Sequence, residues 1–383
     1  MITYLTAGES HGKALSAIIE GLPANLKIDL EFINHELARR QLGFGRGGRM
    51  SIEQDKAEIL SGLRDGLTIG SPISFLIMNK DWENWSKEMD PCDADIKETL
   101  SAPRPGHADL TGALKTGQKD LRNILERSSA RQTATYVGVG AFAKVFLKEF
   151  GVEIASHVTA IGDVKAKKAS INADMLTDID ASPVRTADKE AEAKMVELIK
   201  KAQKDGDTLG GSFEVVAEGV IPGLGNYSLP KKRLDGRLCG AIVSIPAIKA
   251  AAVGEIDEAA FMAGSKAHDE IYHDTKKGYY HKTNRAGGIE GGMSNGSDII
   301  LKALMKPIPT LSQPLKTIDM KTKKQAHAFK ERHDTVAVAA AAVIGEAALA
   351  IELADVFIEK FGSDSIEDIK ANFENYRNRL KSM

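Results

Sequence analysis

Residues 126–150 read ERSSARQTATYVGVGAFAKVFLKEF, and the reading of this stretch decides the fold. GVGAFA at Gly138–Ala143 has the outline of a dinucleotide-binding fingerprint, but that fingerprint must join a strand to a helix. Here the pattern is helical from Ser129 to Phe150, with Ser128 or Ser129 as N-cap and Gly151 as stop. Small residues in the middle of a helix describe close packing against a neighbouring element instead. A Rossmann half is thereby set aside, and the helix is expected in the core.

Working outward, residues 2–7 and 14–20 alternate as strands around the turn GESHG, Gly8–Gly12. Helical spacing runs from Phe32 to Gln41 and stops at GFGRGGRM, Gly43–Met50. A strand is expected at Ile73–Met78, followed by a polar excursion over 79–103 that is long enough to cover a site. The Lys/Glu/Asp-rich stretch 163–208 reads as peripheral, with a helix at Lys189–Lys204. Strands are expected at Ser212–Val220, Gly240–Ile245 and Asp298–Leu304, the last preceded by the glycine cluster GGIEGGMSNG, Gly287–Gly296. An apolar helix follows from Thr335 to Lys360, and a charged, peripheral C-terminal helix begins at about residue 364.

The composition narrows the function. The chain has 383 residues, 43% hydrophobic and 27% charged, with a formal net charge of −2; that balance lacks the basic excess of a general nucleic-acid binder. Aromatic residues make up only 5%, too few for a base-stacking platform. Cys92 and Cys239 are the two cysteines, which fits neither a disulfide framework nor a thiolate metal site. MITYLTAGESHG lacks the pattern of a secretory signal, so a cytoplasmic protein is expected. GALKTGQK (Gly112–Lys119) places Gln118 where a phosphate-binding loop needs lysine. His268 and His273 are five apart, off a common helical face, and no metal site is expected.

Chemistry concentrates in four turns: GESHG with Ser10 and His11, RPGHAD (Arg104–Asp109) with His107, ERSSAR (Glu126–Arg131), and RHD (Arg332–Asp334). Arg40, Arg46, Arg49, Arg104, Arg131 and Arg332 all lie in or beside glycine, proline or serine turns. Brought together, their planar forks suit phosphate and carboxylate groups, with two histidines to move protons. The glycine cluster is expected to let backbone approach a flat or phosphorylated ligand. Three readings stay open on these residues: an anion-handling enzyme, a flavin-dependent NAD(P)H reductase, and a non-catalytic anion or RNA binder.

GESHGKALSAIIEGLP, ERSSARQTATYVGVGAF and RHDTVAVAAAAVIGEAA resemble the three signature regions of the chorismate synthase family, with RPGHAD, GGIEGG and KPIPT in order between them. The resemblance implies an α+β fold, a β-α-β sandwich with central helices between two antiparallel sheets, forming a single domain over 1–383 and a homotetramer. It implies a lyase that turns 5-enolpyruvylshikimate 3-phosphate into chorismate and phosphate with reduced FMN, NADPH being one reductant for that flavin. It implies catalytic roles for His11, His107 and Asp334, supported by Ser10 and Ser129. FMN would be met by Arg127, Ser128, Ser129, Pro246, Ala247, Gly291, Lys306, Pro307, Ile308, Pro309, Thr310 and Arg332. Arg40 and Arg46, with Arg49, Arg104 and Arg131, would hold substrate anions or NADP. Thr335, Ala340, Ala341 and the run Lys249–Val253 depart from the residues usual in the family.

Overall fold

The computed structural model describes residues 1–47, 53–275 and 278–383. Two antiparallel sheets enclose a layer of helices. The first sheet orders its strands Thr3–Ala7, Ala14–Glu20, Ile73–Met78 and Glu58–Ser61. The second runs Ile248–Val253, Ile299–Met305, Gly211–Glu218, Glu153–Ile161 and Val164–Lys165. Helix Thr133–Lys148 lies against the first sheet and helix Val338–Phe361 against the second, and the two helices pack on each other. The expected sandwich is the observed one. Among the described residues, no helix is long and apolar enough to cross a membrane.

Small residues set the spacing of these layers. A Cβ on Gly138 would come within 2.7 Å of the Phe75 ring in the first sheet. One on Gly140 would stand 2.3 Å from the Ala347 Cβ on the facing helix, and one on Gly345 would meet the Phe213 ring of the second sheet at 2.7 Å. The glycines of GVGAFA are thus close-approach points in a core packed at crystal-like density, as the mid-helix reading requires.

The same layer holds a buried ionic network. Glu346, fully buried on the Val338–Phe361 helix, accepts from Arg39 at 2.7 and 2.9 Å, from Lys144 at 2.5 Å and from Ser156 at 2.5 Å. Glu36 accepts from Arg39 at 2.8 Å and Lys144 at 2.5 Å. Asp180 receives Arg39 at 2.6 Å and the fully buried Arg185 at 2.7 Å. Burial alone would push the Glu346 carboxyl up, but Arg39, Lys144 and Arg185 hold it far below the usual carboxylate range.

Three stretches differ from the sequence expectation. Gly240–Ile245 is not a strand; it forms the end of helix Leu234–Val243 and the turn after it, and the helix's Leu234, Leu238 and Ile242 are all fully buried. Four-residue spacing governs there, and the short apolar run concealed it. The expected helix from Ser129 is split: helix Arg122–Ser128 ends, Ser129 turns extended and caps a 3₁₀ turn at Ala130–Gln132, and the α-helix begins at Thr133. Within 163–208, helix Lys189–Asp205 sends Ala191, Met195 and Ile199 into the core.

Removing Glu346 leaves Arg39, Lys144 and Arg185 with too few buried anions, so Glu346→Ala should cost about 3–5 kcal/mol. Urea unfolding of the two proteins checks this; a midpoint shift of under about 1 kcal/mol would show that water reaches the cluster.

Candidate active site

The four turns converge on one cavity of about 420 Å³. Strand Thr3–Ala7 ends at Gly8, and the turn that follows carries Ser10 and His11. Asn79, just beyond strand Ile73–Met78, fastens that turn by donating to the carbonyls of Glu9 at 3.1 Å and Gly12 at 2.7 Å. The Glu126 carboxylate accepts the His11 amide at 2.7 Å and meets its Nδ1 at 2.8 Å. The Trp85 ring from the 79–103 excursion lies 4.3 Å from the imidazole, centre to centre. Burial would raise the Glu126 carboxyl, yet the bonds from His11 and the charge of Arg122 hold it below its ordinary value.

On one wall, Asp55 joins two guanidinium groups, Arg40 Nη2 at 2.7 Å and Arg131 Nη1 at 2.6 Å. Both arginines are almost fully buried, and Arg131 Nε also donates to Asn79 at 2.9 Å. Arg40 Nε is buried with no hydrogen-bond partner among the described residues, and Arg131 Nη2 has no hydrogen bond there but an ion pair with Glu53 Oε2 at 3.7 Å. Such donors are costly to leave unmet and fit an anionic ligand. Arg46 Nε pairs with Asp334 Oδ2 at 2.8 Å, and Asp334 Oδ1 accepts from the Gly47 amide at 2.6 Å. Arg46 thus brackets Asp334 at the cavity wall. Arg49 lies outside the described residues.

The opposite wall holds the second histidine. Asp109, fully buried, binds Arg104 through both oxygens at 2.8 and 2.9 Å and meets His107 Nδ1 at 2.5 Å. Arg104 Nη1 reaches Thr310 at 2.9 Å. Burial would raise Asp109, but Arg104 and His107 drive it far below the carboxylate range. Lys306 points its Nζ at the Gly106 carbonyl. Beside it Pro246, Ala247, Met305, Ile308 and Pro309 form an apolar surface on which a flat ring can lie. Ala247 sits at φ 68°, a conformation unusual for a side-chain-bearing residue, and its carbonyl accepts the Lys306 amide at 3.0 Å.

Of the residues singled out from sequence, Ser10, His11, His107, Ser128, Ser129, Pro246, Ala247, Lys306, Ile308, Pro309, Thr310, Arg332 and Asp334 line the cavity, with Arg40, Arg46, Arg104 and Arg131. Arg332 stands at its rim, paired with Asp81. Arg127 turns away and clamps the first strand, donating to the carbonyls of Gly8 at 3.1 Å and Thr6 at 2.7 Å. Pro307 is exposed and not in the lining. Gly291 falls in the turn between strands Ile289–Glu290 and Met293–Ser294, with open space around it and outside the lining. Its neighbours Gly287 and Gly288 approach the chain's own backbone at Gly254 and Asp298, which takes the room expected for a ligand. Glu126, Asp109, Asn79 and Asp55 were not singled out, although the first two stand inside quoted motifs.

A family model for chorismate synthase matches residues 2–358. A chorismate synthase from Alkaliphilus metalliredigens is 52% identical over 98% of this chain and 99% of its own length. One from Geobacter sulfurreducens is 51% identical over 98% of each. A crystal structure of chorismate synthase superposes with a TM-score of 0.81 at 42% identity, covering 100% of this chain and 99% of that one.

Because Asp109 is depressed in the folded protein, its ionic contribution is present above the ordinary carboxylate pKa of about 3.9 and is lost as pH falls through the lower folded value. Asp109→Asn should therefore be less stable than the parent at pH 7, by about 3 kcal/mol or more, and the gap should begin to narrow as pH falls below about 4. Urea midpoints measured from pH 7 down to 3 check this; a gap independent of pH would remove the charge from the account.

Proposed function

From the premise that this chain belongs to the chorismate synthase family, we propose how its cavity performs that reaction, the loss of phosphate and a ring hydrogen from 5-enolpyruvylshikimate 3-phosphate. The observation that carries the reading is convergence: two histidines, a carboxylate and several guanidinium groups from distant segments share one cavity with an apolar surface. Arg40 and Arg131, both lining the cavity, neutralise the phosphate of the substrate. His11 gives a proton from its ring to the phosphate oxygen as the carbon–oxygen bond breaks. Asp334, steadied by Arg46 and the Gly47 amide, stands on the side from which the ring proton departs.

Enzymes of this family depend on reduced flavin, and we assign FMN to the side of the cavity formed by Pro246, Ala247, Lys306, Ile308, Pro309 and Thr310, with Ser128, Ser129 and Arg332. Reduced FMN supplies, when bound, an electron-rich ring for an elimination without net redox change. His107 faces that side and is held by Asp109 to present a fixed ring edge. NADPH is taken as an external reductant of the flavin, since no strand–fingerprint–helix unit is present among the described elements. We also read the protein as a cytoplasmic homotetramer. In support of self-association, Leu5, Ile18 and Met78 lie exposed on the outer face of the first sheet.

Anaerobic incubation with the substrate and chemically reduced FMN should yield chorismate, and oxidised FMN without reductant should yield none. Full turnover with oxidised FMN would sink the cofactor assignment, and no product with reduced FMN would sink the function. Under the same conditions Arg46→Ala should lower turnover at least about tenfold by releasing Asp334. A loss confined to an NADPH-driven assay would transfer Arg46 to a nicotinamide phosphate.

A further inference from the structure

We infer that Glu126 is the positioning residue of His11, deciding which ring nitrogen the cavity meets. The inference rests on the reading of His11 as the proton donor and extends it to a residue with no assigned role. Three bonds tie one glutamate to the turn. Its backbone carbonyl accepts the Ser10 amide at 2.9 Å, Oε2 accepts the His11 amide at 2.7 Å, and Oε1 meets His11 Nδ1 at 2.8 Å. Glu126 and His11 are both buried, at 3% and 6% exposure, so water does not compete for these bonds.

Glu126 is itself fixed from behind. Arg122, one helical turn earlier, donates to Oε1 at 3.1 Å and to Glu331 at 3.0 Å, and its guanidinium lies 4.8 Å from the Trp85 ring centre. Trp85 in turn packs against the imidazole, its ring tilted 39° to it. Trp85 at the side and the carboxylate at the edge restrain the ring. An ionised carboxylate only accepts hydrogen bonds, so the hydrogen on the shared edge belongs to Nδ1. When the ring carries both protons, Nε2 is then the nitrogen that gives one up to a substrate oxygen, leaving the neutral Nδ1–H ring, and that later takes a proton back. A glutamine at 126 presents either an acceptor or a donor to Nδ1 and no longer dictates the choice.

Three measurements test this. In protein labelled with ¹⁵N-histidine and free of substrate, long-range proton–nitrogen correlations read the tautomer of each neutral ring, with His11 assigned by its loss in His11→Ala. Nδ1–H is expected for His11, and an Nε2–H tautomer overturns the proposal. That arm needs no turnover, so it stands apart from any failure of the reaction assignment. Second, Glu126→Gln should lower kcat about 10- to 100-fold, with KM within about twofold; parental kcat overturns the proposal. Third, adding Glu126→Gln to His11→Ala should cost no further activity, since the glutamate acts through that ring. A further loss as large as in the parent background would make Glu126 a general structural support and overturn the proposal.

Discussion

The pairing of Arg39 with Glu346 is the contact on which the other parts depend. It sits where the helix of the first cross-connection, the two central helices and the second sheet meet, and it draws in Lys144, Glu36, Asp180, Arg185 and Ser156. Three cations and three anions are buried together, so the cluster is neutral as a whole but intolerant of a missing member. Networks of this sort contribute little net stability compared with apolar packing, since desolvation offsets most of the attraction. What they supply here is registration. A sliding of the Leu30–Gln41 helix along its neighbours would strand charges in the core, whereas alanine against alanine would scarcely resist it.

Registration matters because Arg39 and Arg40 are adjacent and face different partners. Arg39 locks into the core, and Arg40 reaches Asp55 at the cavity wall. A similar economy runs through the site. Arg40 and Arg131 share Asp55, Arg46 holds Asp334, Arg104 holds Asp109 and Arg332 holds Asp81. The cavity therefore holds its cations apart with carboxylates rather than leaving them to repel one another. This is how a chain with a net charge of −2 concentrates guanidinium groups in one place.

The sequence disclosed the parts whose chemistry is local. Strand Ile73–Met78 was placed residue for residue, and the small residues at Gly138 and Gly140 announced a tight crossing. The histidine turns could be recognised only when read together, since a single loop histidine is more often a solvated or capping residue. Gly240–Ile245 was misread because an apolar run of that length carries too little phase to separate a period of 2 from one of 3.6. Asp55 and Asn79 gave no signal: their importance lies in partners 76 and 52 residues away. The glycine cluster was legible as close approach but not as to what approaches, since backbone and ligand make the same demand on a glycine.

Trp82 and Trp85 begin and end one four-residue helix, and they are the chain's two tryptophans. The ring of Trp85 packs against both the imidazole of His11 and the guanidinium of Arg122. Tryptophan emission from this protein therefore arises from one short helix beside the His11 turn and not from the alanine-rich interior. The molecule carries a built-in optical probe at the place where its chemistry is assembled, and that probe is blind to most of the core.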